Sequence, residues 1–200
     1  MTTPTSAAAI LNTLRDLQVL VINPPGDISD ALVLQLIRIG CSVRHFWPPP
    51  EKCEVTVDVI FTGIFQSRHH EEISSLVTTG DPRTTVVALV EYESPAVLSQ
   101  ILELGCHGVI TQPLDSHKVL PVLVSARRNS EETAKLKQKN AQLQDRMGNQ
   151  ADINRAKVRL MKHHDWEEEE AHTFLSREAM KKRKSILEIA REILQQNPGR

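Results

Sequence analysis

From Val119 to Met161 the chain has no proline after Pro121 and only Gly148 as a weak point, so one long helix is predicted there. A helix of that length and polarity is not stable alone in water and needs a partner for one of its faces. Leu136 and Leu143 stand a heptad apart, with Ala126, Thr133, Asn140 and Met147 on the companion positions, which is the a/d spacing of a short coiled coil. Two copies of the chain are therefore expected to meet along Leu136, Asn140, Leu143 and Met147, as a homodimer. Asn140 costs stability at a seam but can bond its counterpart, and Glu132 and Lys137 fall at the g and e positions that pair across a parallel dimer. A solvated connector helix is the competing expectation, because Thr133 and Asn140 make a polar seam. Beyond Met147 the apolar stripe slips by one position to Ile153, Ala156 and Leu160, so the helix turns a new face to new partners.

Composition changes across that helix. Pro, Gly and β-branched residues lie mostly before Leu114, while Glu, Lys, Arg and Gln dominate after it. The 200 residues suffice for one domain with an extension or for two small domains. A net charge of −1 gives no general attraction to nucleic acid, so any contact with a polyanion must come from a local patch. Cys41, Cys53 and Cys106 are odd in number and lie in or beside apolar runs, which fits buried free thiols in a reducing compartment. The segment Met1 to Asn12 has no basic start, and no apolar stretch is long enough to span a bilayer. A cytoplasmic protein is expected.

Before Ala126 the pattern alternates. Strands are predicted over Leu17–Ile22, Ser42–Trp47, Val57–Phe61, Thr85–Val90 and His107–Thr111. Helices are predicted between them, over Ile28–Ile39 with Asp27 as a possible N-cap and Gly40 as the stop, over Glu71–Thr79, and over Ser94–Leu104 closed by Gly105. Pro24-Pro25 and Pro48-Pro49-Pro50 end the first two strands, since proline cannot donate to a ladder. Strands alternating with helices and no hairpin signal imply an α/β fold with a doubly wound parallel five-stranded sheet.

After Ile153 three amphipathic helices are predicted. The first ends the long helix. Asp165 is expected to cap the second, with Glu167 to Glu170 in its first turn and Ala171, Phe174 and Leu175 on its apolar face. Ser185 and Glu188 form a capping box for the third, which carries Ile186, Ile189, Ala190, Ile193 and Leu194 before Asn197-Pro198-Gly199 ends it. The marked charge feature is Arg177 with Lys181-Lys182-Arg183-Lys184, joined by Arg155, Lys157 and Arg159. Such a cluster is a solvated face about as often as a nucleic-acid site.

Other chemistry finds little support. His69-His70-Glu71-Glu72 and His163-His164-Asp165 contain metal-ligand types, but adjacent ligands point to different faces, so surface or capping roles are expected and no metal. There is no P-loop, GxGxxG, GxSxG or CxxC, so no cofactor is expected and an enzyme reading has no basis.

Five βα units, the last strand ending in Gly-Val-Ile-Thr-Gln-Pro, resemble the receiver domain of two-component response regulators, a flavodoxin-like fold with strand order 2-1-3-4-5 and its crevice at the C-terminal strand ends. A working receiver needs an acidic pair for Mg²⁺, an acceptor Asp, a Ser or Thr, and a Lys. The corresponding positions here are Asn23-Pro24, Gly63, Val90 and Gln112. Without carboxylates, metal or lysine nothing stabilises phosphoryl transfer, so the resemblance implies a receiver that cannot be phosphorylated. Thr62 lacks a base or metal and is a weak nucleophile.

Ile153-x-x-Ala156-Lys157-x-x-Leu160-Met161, then Ala171-x-x-x-Leu175, Ala179-Met180 and Leu187-x-x-Ala190-x-x-Ile193-Leu194, resemble the ANTAR domain, a three-helix RNA-binding module of bacterial antiterminators. Two positions depart from that pattern: Val158 replaces the usual Gly, and Arg159 stands where an apolar residue is common. The layout of receiver-like domain (1–125), coiled coil (126–150) and ANTAR tail (151–200) resembles the antitermination regulators of amidase operons. That resemblance implies leader RNA stem-loops as ligand and sequestration by an amide-sensing negative regulator in place of phosphorylation. Expected phosphate contacts are Lys157, Arg159, Arg177, Lys181, Lys182, Arg183 and Lys184, with Ala156, Ala179 and Met180 setting close helix packing. A DNA-binding response regulator and a dimeric structural adaptor remain as alternatives.

Overall fold

The computed structural model describes residues 14–52, 56–65 and 68–195, apart from the Arg68 side chain. Met1 to Asn12, the Cys53 thiol and the Asn197-Pro198-Gly199 stop lie outside the described residues. The chain divides into two compact units, Met1–Lys135 and Leu136–Arg200.

In the first unit, β1 (Gln18–Ile22), α1 (Asp27–Ile39), β2 (Ser42–Phe46), β3 (Val59–Gly63), α2 (Arg68–Thr79), β4 (Thr85–Val90), α3 (Pro95–Glu103) and β5 (Gly108–Thr111) lead into α4 (Ser116–His164). All four strand pairings are parallel, in the order β2-β1-β3-β4-β5. β3 and β4 are buried along their whole length, because helices cover both faces of a parallel sheet. Side chains alternate between those faces: Val19, Val21, Val59, Phe61, Val87 and Leu89 join Leu32 and Leu36 of α1 and Val119, Leu123 and Ala126 of α4. Leu20, Ile22 and Ile60 pack with Ile73 and Leu76 of α2, and Ala88 and Val90 with Val97 of α3.

Local chemistry sets the helix ends. Ser94 Oγ accepts from Val97 N at 3.2 Å, a cap worth about 1 kcal/mol. Gly40 ends α1 with φ 104, a conformation that an L side chain resists. Asp27, expected as the cap of α1, is instead its first residue; Gly26 occupies the cap and makes no side-chain bond. The third strand lies two residues later than its apolar run suggests. Asp58, just before the strand, bonds both neighbours through its backbone, its N–H donating to Gln18 O and its carbonyl accepting from Thr85 N, while its carboxylate accepts Gln18 N at 2.9 Å and lies 3.9 Å from the Arg127 guanidinium.

α4 extends the expected helix at both ends, and Pro121 lies in its second turn, where it forfeits one intrahelical bond. Ala126 is wholly buried in the core of the first unit, so it is not a seam position. From Lys135 to Gly148 every residue is exposed, Leu136, Leu143 and Met147 included.

In the second unit, the end of α4 packs with α5 (Glu168–Lys182) and α6 (Ile186–Gln195) around Leu160, Ala171, Leu175, Ala179 and Ile189. Glu167 caps α5 through a capping box with Glu170, and Glu167 N donates to Glu170 Oε2 at 2.9 Å. Asp165 was expected there; it stands two residues earlier with φ 58, in the turn that leaves α4. The expected Ser185/Glu188 box opens α6, with Ser185 N donating to Glu188 Oε2 at 2.7 Å and Glu188 N to Ser185 Oγ at 3.2 Å.

Candidate functional site

Polar and charged side chains gather in two places, the crevice at the strand ends and the basic surface of the second unit. The crevice is a cleft of about 400 Å³ bordered by Asn23, Gly26, Gly63, Phe65, Glu91 and Gln112. Asn23 is fixed on every side. Its Nδ2 donates to Ser29 Oγ at 2.8 Å, Ser29 Oγ donates to Pro24 O at 2.7 Å, and His45 Nε2 donates to Asn23 O at 2.8 Å. At Gly63 a side chain would have to displace its neighbours. A Cβ would lie 2.4 Å from Phe65 Cζ and 2.6 Å from Asn23 Oδ1, closer than van der Waals contact allows. Val90 is buried beside Val97, and Gln112 donates its backbone N–H to Val90 O at 2.8 Å. Thr62 is fully buried and its hydroxyl donates to Gly63 O at 3.0 Å. Among the described residues only Asp27 and Glu91 supply carboxylates to the cleft, and no group of three or more His, Cys, Asp or Glu is placed to hold a metal.

The two histidine clusters have local partners. His69 lies 2.9 Å from Glu72, against the edge of the Trp47 ring, and His164 stacks on Trp166. Burial pushes the Cys41 thiol up to about 11 and the Cys106 thiol up to about 12, so neither is a nucleophile near neutral pH.

The basic residues of the tail divide into two sets. Lys157, with its side chain only 14% exposed, lies 3.0 Å from Glu168. Arg159 donates to Leu194 O at 3.1 Å, tying α4 to the last turn of α6 and satisfying a helix-end carbonyl. Lys182 and Lys184 both pair with Glu192. Hydrogen bonds from Lys184 first and Lys182 next hold the Glu192 carboxyl below its ordinary range, and the same contact raises Lys184. The other set faces outward: Arg177 and Arg183 make no ion pair among the described residues, and Lys181 lies 3.9 Å from Glu178 in the solvent-exposed manner that contributes little.

Ala156 and Ala179 are buried, as helix packing requires, but Met180 is not: it is 78% exposed beside Lys181. The signal was its spacing, because Leu175 and Ala179 take the inward face and Met180 falls three residues after Arg177, on the outward one. Glu192 carried no such signal. Its lysine partners lie eight and ten residues away on another helix.

Residues 17–127 match the family described as AmiR, N-terminal, and residues 141–194 match the ANTAR domain. Over 194 residues the chain is 70% identical to the aliphatic amidase regulator of Pseudomonas aeruginosa, an alignment covering 97% of this chain and 99% of that one.

The chain belongs to the aliphatic amidase regulator family.

The fold agrees. The response regulator receiver domain protein of Methanospirillum hungatei is similar with a TM-score of 0.51 at 14% identity, covering 58% of this chain and 98% of that one. NtrX from Brucella abortus, in a structure with ADP, is similar with a TM-score of 0.50 at 14% identity; the match covers 60% of this chain and 29% of NtrX. Identities this low speak for the fold alone, and that fold is the flavodoxin-like receiver. The chain therefore carries a receiver-type sheet in which Gly63 ends β3 and the Phe65 ring stands in the space that a side chain there would take. No helix among the described residues is long and apolar enough to cross a membrane.

Proposed function

We propose that the chain is an RNA-binding transcription antiterminator, a positive regulator of an amidase-type operon that holds leader RNA stem-loops and keeps a terminator from forming. The observation that carries this reading is the outward set on an ANTAR-matched bundle, where Arg177, Met180, Lys181 and Arg183, within seven residues at the end of α5, are all exposed. Guanidinium groups contact phosphate and stack on unpaired bases, which is how loop nucleotides are read when the A-form major groove is too narrow for side chains. Lys157, Arg159, Lys182 and Lys184 complete the expected RNA surface.

Residues 1–125 form the partner-binding part, 126–150 the dimerisation helix and 151–200 the RNA-binding part of a cytoplasmic homodimer. The exposed Leu136, Leu143 and Met147, with Asn140 between the leucines, support pairing of two chains, and pairing raises the effective concentration of two tails for two hairpins. Control falls to an amide-sensing (AmiC-like) negative regulator that sequesters the chain. A switch without phosphate chemistry must be worked by a partner's differential affinity for its states.

The test is a gel shift of the full chain with a two-stem-loop leader RNA, a loop-scrambled copy and duplex DNA at one physiological salt concentration. Preference for intact loops, lost when Arg177 and Lys181 to Lys184 become Ala, is the expected result. Preference for duplex DNA would move the chain to the DNA-binding regulators, and indifference to all three would leave a dimeric adaptor.

A further inference from the structure

Lys181 to Lys184 are consecutive in sequence but do not face one way. Arg183 ends α5 in the left-handed region, with φ 53 and ψ 41; its N–H donates to Met180 O, and Lys184 N–H donates to Ala179 O. Around that left-handed residue, Lys182 and Lys184 both reach the Glu192 carboxylate of α6. Lys182 Nζ lies 3.0 Å from Oε2 and Lys184 takes Oε1, one ammonium to each oxygen. The Arg183 side chain makes no hydrogen bond or ion pair among the described residues. Glu192 sits on a helix anchored through Ile189 and Ile193, so its carboxylate is a fixed point between two flexible cations.

A phosphodiester presents the same thing to the two lysines: one negative charge shared by two oxygens. We propose that Glu192 is a built-in competitor for an RNA backbone phosphate, holding Lys182 and Lys184 together in the free protein and releasing them when a phosphate takes its place. The inference rests on the RNA reading above and adds how that site is regulated. It also explains a carboxylate in the middle of a basic surface. Any polyanion must displace Glu192 before it gains two lysines, so chance encounters are penalised while an RNA docked by Arg177 and Arg183 places its phosphate at the fork.

The experiment uses the full chain, a fluorescein-labelled two-stem-loop RNA read by anisotropy, and a heparin column. Glu192→Gln should bind the RNA roughly three- to tenfold more tightly, the range that two solvent-exposed ion pairs can withhold. Glu169→Gln removes the same charge from an exposed α5 residue with no ion pair among the described residues, and it should change affinity by less than about twofold. In a Lys182→Ala/Lys184→Ala background, itself weaker than the parent, the gain from Glu192→Gln should fall to the Glu169→Gln value. Circular dichroism checks that the helices are kept. Equal effects of the two glutamine variants, or a double-lysine variant that binds as well as the parent, overturn the proposal. If the parent ignores the RNA, the RNA reading fails; later heparin elution of Glu192→Gln than of Glu169→Gln then keeps the competitor, and equal elution removes it too.

Discussion

The strand-end crevice and the turn after α5 each meet the oxygens of a phosphoryl group or phosphate with an obstacle of its own kind. At Gly63 the obstacle is matter: Phe65 and Asn23 occupy the space of a side chain. At Lys182 and Lys184 it is a charge, Glu192, held at the surface. A half-buried ring must turn aside to admit a side chain, whereas a solvated ion pair exchanges partners at small cost. A side chain at Gly63 must displace a ring, whereas a ligand at Lys182 and Lys184 has only to exchange a charge.

The largest effect should come from forcing the crevice open. Gly63→Asp is expected to destabilise the first unit by about 3 kcal/mol or more, from overpacking and a buried carboxylate, and to take up no label from acetyl phosphate. Urea unfolding measures the first part. A stable, labelled variant would end the contrast between the two sites. Gly63→Ala should cost roughly 1–3 kcal/mol, and part of that should return with Phe65→Ala, since the ring is the nearest obstacle. Leu175→Ala, at the centre of the tail bundle, should cost roughly 2–5 kcal/mol in the melting of the second unit and leave the unfolding of the first unchanged.

Arg183→Gly sharpens the other side. Glycine suits the left-handed position and should stabilise the tail by about 1 kcal/mol, while the loss of a guanidinium contact weakens RNA binding by roughly tenfold. Stability and affinity moving in opposite directions would mark Arg183 as retained for contact. Equal affinity would return it to the bland surface. The last effect is confined to alkaline solution. The Cys41 and Cys106 thiols are raised by burial from 9.0 to about 11 and 12, so the unfolded chain loses these protons first. Their contribution is complete below pH 9 and is lost as pH rises towards 11 to 12; slow alkylation at pH 8 that accelerates in urea would check the same burial.

Much of the first unit was legible because burial on both sheet faces demands runs such as Thr85–Val90, and Gly40 and Gly105 stop helices for a backbone reason that the sequence displays. The closure at Gly63 was not. Loss of the acceptor is visible in the residue type, but the filling of its space depends on where the Phe65 ring falls after the strand ends. The caps expected at Asp27 and Asp165 failed for a related reason: several acidic residues stood near each start, and the turn geometry chose Gly26 and Glu167. In the tail the cations were legible as a group, yet their division was not, because Lys157–Glu168, Arg159–Leu194 and Lys182–Glu192 join different helices.

The ring of Phe65 beside Gly63 also bears on time. An acyl phosphate hydrolyses, so a receiver that carries one holds its own clock, and the signal decays at a rate set by the site. Gly63, with Phe65 beside it, offers no carboxylate to carry that group and so no such clock. How long this regulator stays in either state is then decided elsewhere, by how slowly whatever is bound to it lets go.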